Sequence, residues 1–127
     1  MIGREYPPVE LTIERERVEA FARAVGADPA QGVPPTFAAV YGLFATAPQL
    51  FQDAEAAVDV ANLLHAEQEF EWSRHPEVGE TVIAQGRIVS DQHRRGMRFL
   101  GFETTASGRG ELFCRSKALF IIRGRQP

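Results

Sequence analysis

The sequence predicts an α+β domain in which a curved antiparallel β-sheet wraps a buried central helix. Three observations carry this. Residues 37–45, Phe37-Ala38-Ala39-Val40-Tyr41-Gly42-Leu43-Phe44-Ala45, hold no charge and have the alanine content of a helix; a helix apolar on nearly every side is one that other elements enclose. After residue 67 the chain falls into four strand-like runs, with the apolar and polar alternation of strands that bury one face. The breaks between the last three runs are short and hold Gly, as hairpin connections do. A wholly apolar helix needs cover, and the sheet is what the chain has to offer.

The elements follow in order. Val9, Leu11 and Ile13 alternate with polar neighbours just after Pro7-Pro8, which blocks helix, so a short first strand is expected. From Glu14 to Val25 the spacing becomes helical, with Val18, Phe21, Ala22 and Val25 on one side. Glu14 and Glu16 suit the positive end of the helix dipole, and Gly26 ends the run. Residues 26–36 are dense in Pro and Gly and are expected to be an irregular loop. The apolar helix over 37–45 follows, then a weaker helical stretch around 48–58. Strands are expected at 68–72, 81–89, 97–105 and 112–123, with turns at 75–80, 91–96 and 107–110. Strand, helix, loop, buried helix and four strands make the hot-dog arrangement, one domain over residues 1–127.

Composition narrows the function. Fourteen Lys and Arg against 17 Asp and Glu leave a formal charge of -3, with no broad basic field for a phosphate backbone, so no nucleic-acid partner is expected. Arg115, Lys117, Arg123 and Arg125 lie along the last strand and read as a solvated face, with an anionic cofactor tail as the alternative. Cys114 is the one cysteine, so no internal disulfide can form; within Leu112-Phe113-Cys114 it reads as a small buried hydrophobe, and a cytoplasmic location is expected. No stretch approaches the roughly 18 apolar residues of a membrane span. His65, His75 and His93 stand far apart with no metal-ligand spacing, and no phosphate-loop pattern occurs, so neither a metal nor a cofactor is expected. Ser73 and His75 are the one local nucleophile and base pair, and they fall in a turn where polar residues are common anyway.

A resemblance rests on a succession of segments: Val18-Glu19-Ala20-Phe21-Ala22-Arg23-Ala24-Val25-Gly26, Asp28-Pro29, Val33-Pro34-Pro35-Thr36-Phe37, Leu64-His65-Ala66-Glu67-Gln68-Glu69-Phe70-Glu71 and Pro76-Glu77-Val78-Gly79-Glu80-Thr81. Together they resemble the MaoC-like dehydratases and R-specific enoyl-CoA hydratases. The match is with the N-terminal-type, substrate-binding half, similar to the substrate-binding subunit of mycobacterial (3R)-hydroxyacyl-carrier-protein dehydratases. The resemblance implies a hot-dog fold and reversible hydration of an acyl thioester. Active members carry a Gly-Asp-x-Asn-Pro-x-His pattern whose Asp and His move the proton and the water. Laid on Pro29, that pattern puts Asp28 at the Asn, Gly26 at the catalytic Asp and Gln31 at the catalytic His. Neither Gly nor Gln shuttles a proton near neutral pH, so no catalytic residue is expected in this chain.

What remains is binding. The resemblance implies an acyl-CoA or acyl-carrier-protein ligand, with Pro35, Thr36, Phe37, Tyr41, His65 and Glu67 as the substrate-binding residues. It also implies a second hot-dog chain, as a homodimer or as a heterodimer with a catalytic subunit. Phe37, Tyr41 and Phe44, at spacings of four and three, would line one wall of an acyl tunnel, or else form core. A hot-dog thioesterase is the rival enzyme; it would need an acid on or near the central helix, and residues 37–52 have none, leaving Asp53, Glu55 and Glu67. A noncatalytic homodimer that holds an acyl thioester is the third reading.

Overall fold

The computed structural model describes residues 1–124; Arg125 falls outside them. Strand β1 (Val9–Thr12) leads into helix α1 (Arg15–Ala24). The helix ends in a Schellman cap: Ala27 N–H reaches Ala22 O (2.8 Å) and Gly26 N–H reaches Arg23 O (3.3 Å). Gly26 takes the positive φ of 75° that such a cap requires. The loop after it is not wholly irregular. Asp28 accepts from Ala30 N–H (2.9 Å) and starts a 3-10 turn at Pro29–Gln31, and a second 3-10 turn at Pro35–Phe37 opens the central helix.

The central helix is composite. A π-turn over Ala39–Leu43 precedes helix α2 (Phe44–Phe51), with Phe44 N–H bonded to Ala39 O. The wider turn changes which residues share a face. Tyr41 is buried at 1% exposure, whereas Phe44 turns outward and is 61% exposed. The expected row Phe37, Tyr41, Phe44 is thereby corrected, since Phe44 does not lie with the other two. Thr46, fully buried, ties the helix to the sheet: its hydroxyl donates to Gly42 O (2.9 Å) and meets Thr104 Oγ1 at 3.0 Å.

Four long strands follow, β2 (Leu63–Trp72), β3 (Thr81–Arg94), β4 (Met97–Gly108) and β5 (Glu111–Arg123). The sheet is antiparallel throughout, in the order β1-β3-β4-β5-β2. Val82, Ala84, Ile88, Leu100, Phe102, Ala118 and Phe120 point from the sheet toward the helix side, where Tyr41, Leu43, Ala47 and Leu50 are buried. Gly86 makes room for Phe102, whose ring occupies the place a Cβ would take. The opposite face is polar in the middle of the sheet, where the register lines up Glu69, Lys117, Glu103 and Arg87 with alternating charge. Arg115 and Lys117 belong to that face, as expected of a solvated strand.

All four long strands outrun their expected lengths, β5 by a single residue. The segments 91–96 and 107–110 shrink to two-residue turns, Arg95-Gly96 (φ 52°, 74°) and Arg109-Gly110 (φ 54°, 74°), the paired positive angles of tight hairpins. Strand β2 starts at Leu63 because its pairing with β5 continues through a bulge at Ala66. At one margin of the sheet β1 is only four residues long. At the other, β2 offers ten residues paired on one side only.

Candidate functional site

The loop between α1 and the central helix borders a cleft of about 480 Å³. Asp28, Gln31, Val33, Pro34 and Pro35 line it from the loop, and His75 lines it from the β2–β3 connection. Gln31 thus borders the cleft, while Gly26 serves as the helix cap. The carboxylate of Asp28 is taken up by its own turn. His75 sets its ring against Trp72, with centroids 5.3 Å apart. No local spacing marks the meeting of His75 with the 28–35 loop, because the contact depends on where the sheet returns the chain.

Behind this cleft lies an aromatic layer. Phe37 packs edge-on to Phe21 (5.2 Å) and 6.4 Å from Tyr41, Tyr41 packs on Phe113 (5.7 Å), and Phe70 stacks on Trp72 (5.4 Å, 16°). Val33 packs against the same cluster, so the cleft wall and the layer are continuous. Two polar atoms are buried here without a hydrogen-bond partner among the described residues, Tyr41 Oη and Trp72 Nε1. Burial, with Cys114 alongside, pushes the Tyr41 phenol far above its usual range, so it stays protonated. Burial likewise raises the Cys114 thiol, which keeps it a poor nucleophile.

The rim of the layer is held by one ion pair. Arg74 donates to both oxygens of Glu80 (3.0 and 2.8 Å) and to Gly108 O (3.1 Å), and its guanidinium lies 4.6 Å over the Phe113 ring. The Glu80 carboxylate is nearly inaccessible, and the Arg74 pairing holds its pKa below the ordinary value despite burial. Glu80 fills the space where a Cβ on residue 108 would stand, which accounts for Gly108.

The six residues expected to bind substrate do not come together in one place. Pro35 and Thr36 are exposed at the start of the central helix, and Phe37 and Tyr41 are buried in the aromatic layer. His65 stands apart from them, its ring 5.3 Å from Phe120 and its Nε2 2.9 Å from Gln68 Oε1. Glu67, opposite Leu119, lies on the other face of the sheet from His65, which is opposite Phe120. Of the acids open to a thioesterase, Asp53 is already engaged. Tyr6 Oη donates to it at 2.7 Å and Arg4 at 2.6 and 3.1 Å, and these partners lower its pKa to about 2. Glu55 is paired with Arg4 at 3.0 Å. Among the described residues no group of His, Cys, Asp and Glu has the arrangement of a metal site, and no helix is long and apolar enough to cross a membrane.

A five-stranded antiparallel sheet in the order β1-β3-β4-β5-β2 around one central helix, with a cleft at the mouth of that helix, defines a hot-dog domain. The family model described as FAS1-like, dehydratase domain region matches residues 1–115, and the chain belongs to that family of MaoC-like dehydratases. A UPF0336 protein of Thermobifida fusca is 27% identical over 143 aligned positions, which span 99% of this chain and 93% of that one. A UPF0336 protein of Streptomyces coelicolor is 30% identical over 76% of this chain and 74% of its own. The (3R)-hydroxyacyl-ACP dehydratase complex HadBC of Mycobacterium tuberculosis has the same fold, with TM-score 0.71, 22% identity and 92% of each chain covered. A MaoC-like dehydratase superposes with TM-score 0.81 at 20% identity; 97% of this chain covers 42% of that chain. A thioesterase of Thermus thermophilus, solved with coenzyme A and zinc, gives TM-score 0.65 at 16% identity, with 93% of this chain and 78% of that chain covered.

Proposed function

We propose that this chain is the acyl-thioester-binding, noncatalytic subunit of a 3-hydroxyacyl dehydratase or R-specific enoyl hydratase, with the acid and base supplied by a partner hot-dog chain. One observation carries the reading. In a dehydratase family, the loop beside the cleft has Gly26 and Gln31 where the resembled pattern has Asp and His, and Gly26 is spent on capping α1. A hydration needs a group to take a proton and a group to give one, and neither residue can do either. The aromatic layer and the cleft still suit an acyl group, since ligand sites combine apolar walls with a few fixed polar groups. In this reading Pro35, Thr36, Phe37 and Tyr41 form the wall at the mouth of the central helix. His65, at the open strand β2, belongs to the site that the paired chain completes, while Glu67, on the opposite face of that strand, stands outside it. HadBC is a complex of this fold, which supports a hot-dog partner.

The thioesterase reading is weaker here. Asp53 is held ionised by Tyr6 and Arg4, and an acid with a pKa of about 2 is a poor base for activating water. The deciding assay follows the enoyl absorbance of crotonyl-CoA with the purified chain alone, and then with a hot-dog chain that carries an intact Asp and His. Hydration only in the mixture is the expected result. Hydration by the chain alone would overturn the proposal and direct attention to Asp28 and His75. Release of free thiol by the chain alone would favour the thioesterase.

A further inference from the structure

The aromatic layer carries an unmet demand that the reading above does not use. Tyr41 is 1% exposed, and its hydroxyl has no partner among the described residues; the same is true of the buried Trp72 Nε1. Both atoms belong to one cluster with Phe37, Phe113 and Cys114, and Trp72 and Cys114 stand at the edge of hydrogen-bonding reach of the Tyr41 hydroxyl without closing on it. An indole N–H can only donate; the phenol oxygen could take that proton, but the phenol keeps its own and a buried thiol is a weak acceptor, so what the place lacks is an oxygen acceptor. Leaving a donor unsatisfied in an apolar interior costs the full desolvation of that group, and two at one spot is unusual for a native fold. The π-turn that places Tyr41 is a distortion often found at functional sites. Trp72 touches His75, which lines the cleft, and Val33 joins the cleft wall to the layer, so the two donors sit behind the cleft.

We infer that Tyr41 Oη and Trp72 Nε1 are a paired donor site for one oxygen acceptor of the bound ligand, the thioester carbonyl oxygen of an acyl group entering from the His75 cleft. The identity of the acceptor rests on the acyl-thioester reading; the presence of a donor pair does not. Tyr41 is then a hydrogen-bonding residue, where its place in an apolar run suggested only a tunnel wall or core. Two preorganised donors fix the orientation of a carbonyl in a water-poor site and add specificity beyond apolar contact. Phe37, Phe70 and Phe113 supply the surrounding apolar surface.

Trp72 is the chain's single tryptophan, so its emission reports this site alone. Titration with butyryl-pantetheine and with crotonyl-CoA, followed by fluorescence and by calorimetry, is the test. The expected result is a saturable shift in emission that tracks heat of binding. Tyr41→Phe, which keeps the ring and removes one donor, is expected to weaken binding about tenfold, the ratio that 1.4 kcal/mol represents; Trp72→Phe, which also loses half of the indole and the fluorophore, is followed by calorimetry alone and is expected to weaken binding at least as much. The melting temperature of Tyr41→Phe is expected to equal or exceed that of the wild type. Binding seen by calorimetry with no change in Trp72 emission, and with unaltered affinity in Tyr41→Phe, would refute the donor pair while leaving the acyl-binding proposal intact. No binding of either thioester at millimolar concentration, alone or with a partner chain, would refute both. A Tyr41→Phe variant that loses stability but keeps full affinity would show that the acceptor is an internal water, and would also overturn the inference.

Discussion

At the scale of single residues, the carboxylate of Asp53 shows how a group that looks available in sequence is committed in the fold. It follows α2 closely and would serve as a water-activating acid by position alone. Instead, the Tyr6 hydroxyl and the Arg4 guanidinium, both from the N-terminal segment, close on it from 47 and 49 positions away. Its folded pKa of about 2 lies below the ordinary 3.8. A group depressed in this way stabilises the fold above its unfolded pKa and loses that contribution as the pH falls through its folded value. The window here is therefore from near pH 4 down to near pH 2. Asp53→Asn is expected to be less stable than the wild type at pH 7, and the gap between the two is expected to close over that window. Urea midpoints measured from pH 7 to pH 2 check this; a gap that stays constant would mean that the charge on Asp53 does not contribute. Glu80 and Asp91 are also held below their ordinary values by Arg74 and Arg98, so both proteins weaken in acid and only their difference isolates Asp53.

At the scale of elements, periodicity made most of the architecture legible and chain geometry hid the rest. Alternation at Val9, Leu11 and Ile13, helical spacing through Val25 and the uncharged run from Phe37 all matched what formed. The π-turn escaped, because nothing in Ala39-Val40-Tyr41-Gly42-Leu43 marks a residue of extra winding, and its consequence was the outward turn of Phe44. The hairpins were expected, but their two-residue tightness escaped because turns of this type favour Asn-Gly or Asp-Gly, and here the first residue is Arg. An arginine in the left-handed region is held there against its preference. Arg109 is the cleaner case, since its one ion pair among the described residues, to Glu77 at 3.2 Å, is between exposed groups and contributes little. Arg109→Asn is expected to raise stability by about 0.5–1 kcal/mol, the advantage of a residue that tolerates a positive φ. The measurement is the urea midpoint, and an unchanged or lower midpoint would mean that the ion pair outweighs the backbone preference.

At the scale of the whole molecule, the fold was readable because a charge-free helix and four strands leave few arrangements, whereas the candidate site was only half readable. Gly26 and Gln31 could be set against a pattern in one stretch of sequence. The meeting of Tyr41 with Trp72, and of His75 with the 28–35 loop, arises from sheet pairing and has no local signature. The same distinction governs assembly. Two features of the single chain are unfavourable in water: the ten-residue margin of β2, paired only with β5, and the ring of Phe44, 61% exposed on the central helix. An open strand of that length invites pairing with another chain, and burying most of an aromatic ring stabilises an interface by roughly 1–2 kcal/mol on each side. Leu64, 62% exposed on β2, adds to the apolar surface that a second chain would cover. The chain is therefore expected to associate, with itself or with a catalytic hot-dog partner, and Phe44→Glu is expected to weaken that association at least tenfold. Phe44 contributes little to the monomer core, so the variant should melt as a monomer with unchanged helix and strand content. Sedimentation velocity of both proteins over a concentration series, alone and mixed with the partner, decides the matter. Equal association by wild type and Phe44→Glu would place the interface elsewhere, and a wild type monomeric under every condition would remove the need for a second chain.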